Sequence, residues 1–444
     1  MPSWRTSTAS VFPPRALTAD GHAAVTVASR FGTLTLNRQV FAHTAPPAHN
    51  DHVMPSNALL PPHQGLIITR GLQEWACLLP QDLAFAPVAR LLGWQTHEAQ
   101  VLSDTTIRTL VRSHGQLIRQ AEQAEVTTLL ARADLATLTA QLMLTGQPRR
   151  RAGWPAELSA AVDAALLAGE SRPPVGVSGA DWERVLHARR QEAPPTVAQL
   201  RFLGPELEAD QVLLTTDEVL TRTPEHRRFW ELRTARVTTR AGTRYLSGTG
   251  DSFLLLLLAM AVLCTGRQRR LLLIADGARW IRAWFSALLT QVPGSTLLLD
   301  WYHLRKKCAE LGSMICRGRK AKVELLHTLY RHLWQGETAA ALAVLEAYRP
   351  QAKNTAKLDE LISYLQTRAA YIPNYRQRRR EQQYIGSGQV EKANDLLVAQ
   401  RQKGRGMHWS LETSDALAAL RTLMLNGGWD RYWCHHEVLP LVAT

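Results

Sequence analysis

Two short apolar runs, Arg270–Ala275 and Thr296–Leu299, each end on an aspartate, Asp276 and Asp300. Runs of this length are too short for a core helix and fit strands buried on both faces. A stretch with helical apolar spacing, Ala278–Leu289, separates them. In an open α/β sheet, ligands gather at the carboxyl ends of strands, and neighbouring strands bring distant residues together. The two aspartates are therefore placed where such a fold keeps its chemistry.

The residues upstream extend the pattern. Gln211–Val219 has strand character, Arg228–Thr239 alternates apolar and polar residues, and Thr243–Gly248 fits a third strand. Ser252–Cys264 reads as a buried helix; its apolar run of 12 residues, Phe253–Cys264, is too short to span a bilayer. The order strand, strand, strand, helix, strand, helix, strand is that of an α/β, RNase H-like sheet covered by helices. After Asp300 the pattern is helical to about Arg380, and a further helix is expected from Gln389 to about Val398.

The N-terminal part differs. Residues 24–42 alternate and predict two strands around a turn at Arg30, Phe31 and Gly32. The segment 43–63 reads as a loop; its histidines, His43, His49, His52 and His63, have no cysteine partner and irregular spacing, which disfavours zinc. Helical spacing follows over Ile68–Leu79 and Phe85–Leu92, and Ser103 or Asp104 is placed to cap a third helix from Thr105 to Ser113. This is compatible with a helix-turn-helix unit presenting Arg108 and Arg112 to DNA, or with a plain three-helix packing unit. The helical pattern continues over Gln116–Leu144. Residues 146–195, with Arg149-Arg150-Arg151 and several prolines, read as a connecting region.

Charge narrows the partners. The 444-residue chain carries a formal net charge of +14, and Trp301–Ser410 alone holds 20 Lys and Arg against 9 Asp and Glu. Clustering of this kind favours a phosphate-contacting surface over charge spread for solubility. The groups are Arg305, Lys306 and Lys307; Arg317, Arg319, Lys320 and Lys322; Arg376, Arg378, Arg379 and Arg380; and Arg401, Lys403 and Arg405. Among the nearby aromatics, Trp301 and Trp409 read better as core, and Tyr375 and Tyr384 as candidates to stack on unpaired bases. Five scattered cysteines without CxxC spacing point away from a disulfide framework and toward a reduced compartment. Met1–Leu17 lacks a signal-peptide apolar region.

Three acids carry the candidate chemistry: Asp217 late in the first strand, Asp276 after the fourth, and Glu391 at the opening of the late helix. Crowded carboxylates repel unless cations neutralise them, and hard divalent ions suit oxygen ligands. Glu218 beside Asp217 is an alternative ligand or a surface acid. Gly386-Ser387-Gly388 could offer backbone N–H groups to a phosphate, or serve as a turn into the Glu391 helix.

The segments IADGARWIRAWF, PGSTLLLDWYHLRKK and YIGSGQVEKANDLLVAQRQKGRGMHWS together resemble the Kra-type insertion-sequence transposases and the wider Mutator-like DDE group. The matching elements are a strand-terminal Asp-Gly, a D-x-x-H element at Asp300-Trp301-Tyr302-His303, and a Gly-Ser-Gly-x-x-Glu element ending on Glu391. The first-Asp segment departs from the family, with Asp217-Glu218 in place of Asp-Gly. The resemblance implies a bacterial transposase that binds transposon ends and target DNA, and cleaves and joins strands with two Mg²⁺ or Mn²⁺ ions. Asp217, Asp276 and Glu391 would be the ligands, Asp300 the runner-up, and His303 and Glu218 supporting residues. It also implies a homodimer in the DNA complex and a cytoplasmic, nucleoid-associated protein without membrane attachment. On this basis 1–145 is expected to be a mainly helical DNA-binding region with a short β-hairpin, and 146–204 a linker. The core would occupy 205–304, an all-helical insertion 305–385, and the last part of the core and the tail 386–444. The alternatives are a domesticated, catalytically silent DNA-binding protein and an RNase H-fold nuclease without strand transfer.

Overall fold

The computed structural model describes residues 17–43, 62–63, 66–131, 173–179, 182, 201–202, 211–224, 229–239, 242–265, 270–289, 295–404, 406–435 and 437–438. Most of the expected linker, with Arg149–Arg151, lies outside them, as do His49, His52 and Arg405. The chain divides into two compact units, Met1–Gly115 and Gln116–Thr444.

In the first unit, β1 (Leu17–Ser29) and β2 (Gly32–His43) form an antiparallel hairpin turning at Arg30 and Phe31, as the alternation predicts. Gly32 takes φ of 101° at this turn, a conformation glycine adopts without steric cost. The short strands β3 (Pro62–His63) and β4 (Leu66–Ile68) complete a four-stranded sheet, β4 running parallel to β1. Helices α1 (Arg70–Leu78) and α2 (Phe85–Thr96) follow, and α3 (Asp104–Leu130) joins the expected third helix and the helical pattern after it into one element that begins in this unit. Ser103 Oγ accepts from the Thr106 N–H, a cap at the expected position. Leu72, Val88, Leu92, Ile107 and Val111 are fully buried.

The second unit is built on a five-stranded mixed sheet, an α/β architecture. Its strands are β6 (Gln211–Arg222), β7 (Phe229–Thr238), β8 (Thr243–Gly248), β9 (Arg270–Ala275) and β10 (Thr296–Leu299), in the spatial order β10-β9-β6-β7-β8. The first three are antiparallel; β9 and β10 add in parallel beside β6. A two-residue strand, β5 (Arg201–Phe202), pairs separately with β11 (Glu437–Val438).

Side-chain alternation divides these strands between two cores. Val212, Leu214, Leu271, Leu273 and Ala275 pack with helix α4 (Gly250–Thr265) and with Trp280, Trp284 and Phe285 of α5 (Arg279–Leu289). From Phe253 to Ala261 every residue of α4 is buried, as expected of a helix apolar on all sides. Leu213, Leu272, Ile274 and Leu298 face the other way. They join a core with α6 (Trp301–Ile315), α7 (Arg319–Trp334), α8 (Thr338–Tyr348) and α9 (Thr355–Gln366). From Trp301 to Arg380, the end of α10 (Tyr375–Arg380), every regular element is helical. The chain then returns to the sheet: Val390 and Ala393 of α11 (Gly388–Asn394), with Leu397 and Val398 just beyond, pack on Val219 and Leu232 together with Ala418 of α12 (Leu411–Leu425). Among the described residues, no helix is long and apolar enough to cross a membrane.

Candidate functional site

Strand register explains how acids distant in sequence come to one place. β6 pairs with β9 in parallel from Gln211↔Arg270 to Thr215↔Ile274. Counting on two residues sets Asp217 level with Asp276. β10 pairs with β9 up to Leu299↔Ala275, and the Asp300 N–H donates to the Ala275 carbonyl at 2.8 Å. Asp300 is therefore level with Asp276 on the other side. Three aspartates stand in a row across three neighbouring strands: Asp276 and Asp300 just past the ends of β9 and β10, and Asp217 in the middle of β6, which runs on to Arg222 beyond the expected end at Val219.

Each aspartate has a different environment. Asp276 Oδ1 accepts the Ala278 N–H at 2.7 Å, which fixes the turn into α5. Asp217 Oδ2 accepts from Asn394 Nδ2 at 2.8 Å, and Asn394 Oδ1 accepts from the Thr234 hydroxyl on β7. Burial raises the Asp217 carboxyl above its usual range; the Glu218 N–H opposes this, and the charge of Asp276 adds to it. Asp300 is 1% exposed. Its Oδ1 caps α6 by accepting from the N–H groups of Tyr302 (2.5 Å) and His303 (3.0 Å). Its Oδ2 accepts the Ser387 N–H, and the Ser387 hydroxyl at 2.5 Å. Burial pushes the Asp300 carboxyl up, but His303 and Ser387 pull it down further, to about 2.

Glu391 enters from α11. The Ser387–Asp300 bonds fasten the loop before this helix to the end of β10, and the Trp301 N–H donates to the Ile385 carbonyl at 3.0 Å. Gly386 makes the approach possible: a Cβ there would lie 2.6 Å from the Tyr302 ring. The Gly-Ser-Gly segment thus works as a turn whose Ser387 N–H is given to Asp300. His303, one turn into α6, stands between Asp300 Oδ2 (3.6 Å from Nδ1) and Glu391 Oε1 (3.8 Å from Nε2). Asp300 raises the imidazole above its usual range; burial opposes this, and the charges of Asp276 and Asp217 add to it. Four acids therefore surround one histidine.

Glu218 takes the other side of β6, as strand alternation requires. Its carboxylate accepts from Trp280 Nε1 at 3.0 Å, on the face opposite Asp217 and Asn394. Among the described residues, no group of three or more His, Cys, Asp or Glu side chains closes to metal-binding geometry. The donor chemistry of Asp217, Asp276 and Glu391 nevertheless suits a hard divalent cation, and the Glu391 side chain is 55% exposed.

The basic residues separate into two kinds. Arg317, Arg319, Lys320, Arg376, Arg379, Arg380 and Lys403 are exposed, as is Lys306, at the cleft beside Asp276. Others are engaged within the fold. Arg305, though exposed, lies over the Tyr330 ring at 4.9 Å, Lys307 pairs with Glu360 at 3.0 Å, and Arg378 donates to the Tyr384 carbonyl. Arg401, expected to contact DNA, is 6% exposed and lies 4.7 Å over the Trp409 ring. Tyr375, expected to be free for stacking, is fully buried and donates its hydroxyl to the Leu299 carbonyl. Trp301 and Trp409 are core residues, and Tyr384 is exposed. In the first unit, Arg108 faces the Phe85 ring at 5.4 Å and Asp104 at 3.5 Å, and Arg112 is half-buried.

Sequence reasoning missed Asn394, although it lies three residues after Glu391 and so shares its helix face. It also missed Arg282 and Arg368, which both bind the Gly277 carbonyl. No protein-family model matches this chain, and no curated protein matches it.

Proposed function

We propose that this chain is a DDE transposase of a bacterial insertion sequence, with an RNase H-like core that cleaves transposon ends and joins them to target DNA. The observation that carries the reading is the level placing of Asp217 and Asp276 on adjacent parallel strands, with Glu391 brought to the same centre beside His303. The antiparallel trio followed by two parallel strands supports the RNase H-like core. The helices between β10 and the Glu391 helix support an insertion of the kind the resemblance implies.

Asp217, Asp276 and Glu391 would hold two Mg²⁺ or Mn²⁺ ions, which when bound activate the attacking oxygen and stabilise the leaving one. The protein's own part is positioning. Asn394 holds one oxygen of Asp217, and the Ala278 N–H holds one oxygen of Asp276. His303 draws Glu391 toward the aspartates. Asp300 acts through His303 and Ser387, and its hydrogen bonds leave it a positioning residue in this reading. Exposed Lys and Arg would contact backbone phosphates of transposon-end and target duplexes, two ends being held by a homodimer at the nucleoid.

The test is cleavage and joining of labelled duplexes carrying the element's own terminal repeats, with Mg²⁺ or Mn²⁺, by wild type and by Asp217→Asn, Asp276→Asn and Glu391→Gln. Loss of both products in all three, with duplex binding retained, is expected. Full activity in any one removes that residue from the triad. Cleavage with no joined product would assign a nuclease. Binding without cleavage by wild type would select the second reading, a silent DNA-binding protein.

A further inference from the structure

Beside Asp276 and His303 opens a cleft of about 570 Å³, with Arg282 of α5, Lys306 of α6 and Arg368 after α9 on its walls. Arg282 Nε and Arg368 Nη2 both donate to the Gly277 carbonyl, at 3.2 and 2.8 Å. Their other bonds go to neutral acceptors: Arg282 to the Thr367 carbonyl, Arg368 to the Tyr364 carbonyl and the Thr367 hydroxyl. Arg368 also lies 4.0 Å over the Tyr364 ring, and its Nε is buried with no partner. Among the described residues, no carboxylate lies within ion-pair distance of either guanidinium or of Lys306. The cleft's Glu360 is engaged by Lys307 and Lys357, and Glu310, which also lines it, is exposed.

Two guanidiniums hung on one carbonyl oxygen repel each other, and partial burial weakens the water that would screen them. An anion between them removes both costs, and guanidinium matches the oxygens of a phosphate in shape and charge. We propose that this cleft is a phosphodiester subsite, in which Arg282, Arg368 and Lys306 hold the backbone phosphate next to the one presented to Asp276. The identity of the anion as DNA backbone rests on the transposase reading; the anion site does not.

The site can be tested without metal, in EDTA, on the full chain. Phenylglyoxal modification of Arg282 and Arg368, read by mass spectrometry, needs no variant, so misfolding cannot obscure it. Both pyrophosphate and end duplex are expected to protect the two arginines. In parallel, Arg282→Gln/Arg368→Gln should bind end duplex about tenfold more weakly at about 0.1 M salt, with the slope of log K against log salt reduced by about 1. One methylphosphonate beside the cut position should cause the same loss in wild type and no further loss in the variant, and Arg368→Lys should keep the slope. Protection by pyrophosphate without duplex binding would keep the anion site and overturn the transposase reading. Failure of both ligands to protect the arginines, or additive losses from methylphosphonate and variant, overturns the subsite.

Discussion

At Gly277 the backbone has φ of 73°, and a Cβ would sit 2.8 Å from Leu299 Cδ1 and 3.0 Å from Arg368 Nε. Conformation and space therefore both select glycine after Asp276, and the Asp-Gly pair acquires a steric reason. Gly277→Ala is expected to cost roughly 1–3 kcal/mol, measured by urea unfolding. Asp300 offers a second residue-level test. Its folded carboxyl titrates at about 2, below its ordinary 3.8, so its charge stabilises the fold fully above about pH 4 and less as pH falls toward about 2. With the side chain 1% exposed, the shift corresponds to about 2 kcal/mol. Asp300→Asn should lose about that much at neutral pH, and the gap to wild type should shrink as pH falls across that window in urea titrations at stepped pH.

Among the elements, α11 carries two contributions on one face: Glu391 near His303, and Asn394 bonded to Asp217. The helix runs directly into a π-helical turn, Asp395–Ala399, the kind of irregularity often found at functional sites. Asn394→Ala leaves every proposed ligand in place but frees the Asp217 side chain. It should reduce single-turnover cleavage by roughly 10–100-fold while leaving duplex affinity unchanged. The strands and helices of the second unit were legible because β9 and β10 are short, apolar and interrupted by clear helical spacing, and because the β1–β2 turn of the first unit announces itself at Gly32, the alternation there was legible too. Asp276 and Asp300 were legible by their place at strand ends, whereas Asp217 lies within β6 and Glu391 on α11. Asn394, Arg282 and Arg368 were not, because their roles depend on partners roughly 90 to 180 residues away in sequence. Arg401 and Tyr375 misled for a related reason: composition reports a charge or a ring, but only packing decides whether it faces water. Glu218 is settled by alternation, yet only once Asp217 is known to face α11.

Across the whole molecule, the exposed basic residues and the inward-turned ones predict different phenotypes. Replacing Arg376, Arg379 and Arg380 with Gln should weaken duplex binding at all sequences, the salt slope falling by roughly 0.9 for each phosphate no longer neutralised, with little change in melting temperature. Arg401→Gln should do the reverse, lowering the melting temperature while leaving the salt slope alone; salt titrations and thermal melts on the same samples distinguish the two.

The bond between Asn394 and Asp217 spans 177 residues, and that between Ser387 and Asp300 spans 87. Pairings of such separation form late, after the intervening chain has closed its own loops. During synthesis the sheet and its row of aspartates emerge long before Glu391 does. A chain that has grown only past β10 therefore has the strands of the sheet but lacks the helices that cover Val219 and Leu232. Under the proposed reading, a chain grown past β10 but short of Glu391 has the row of aspartates without the last proposed ligand.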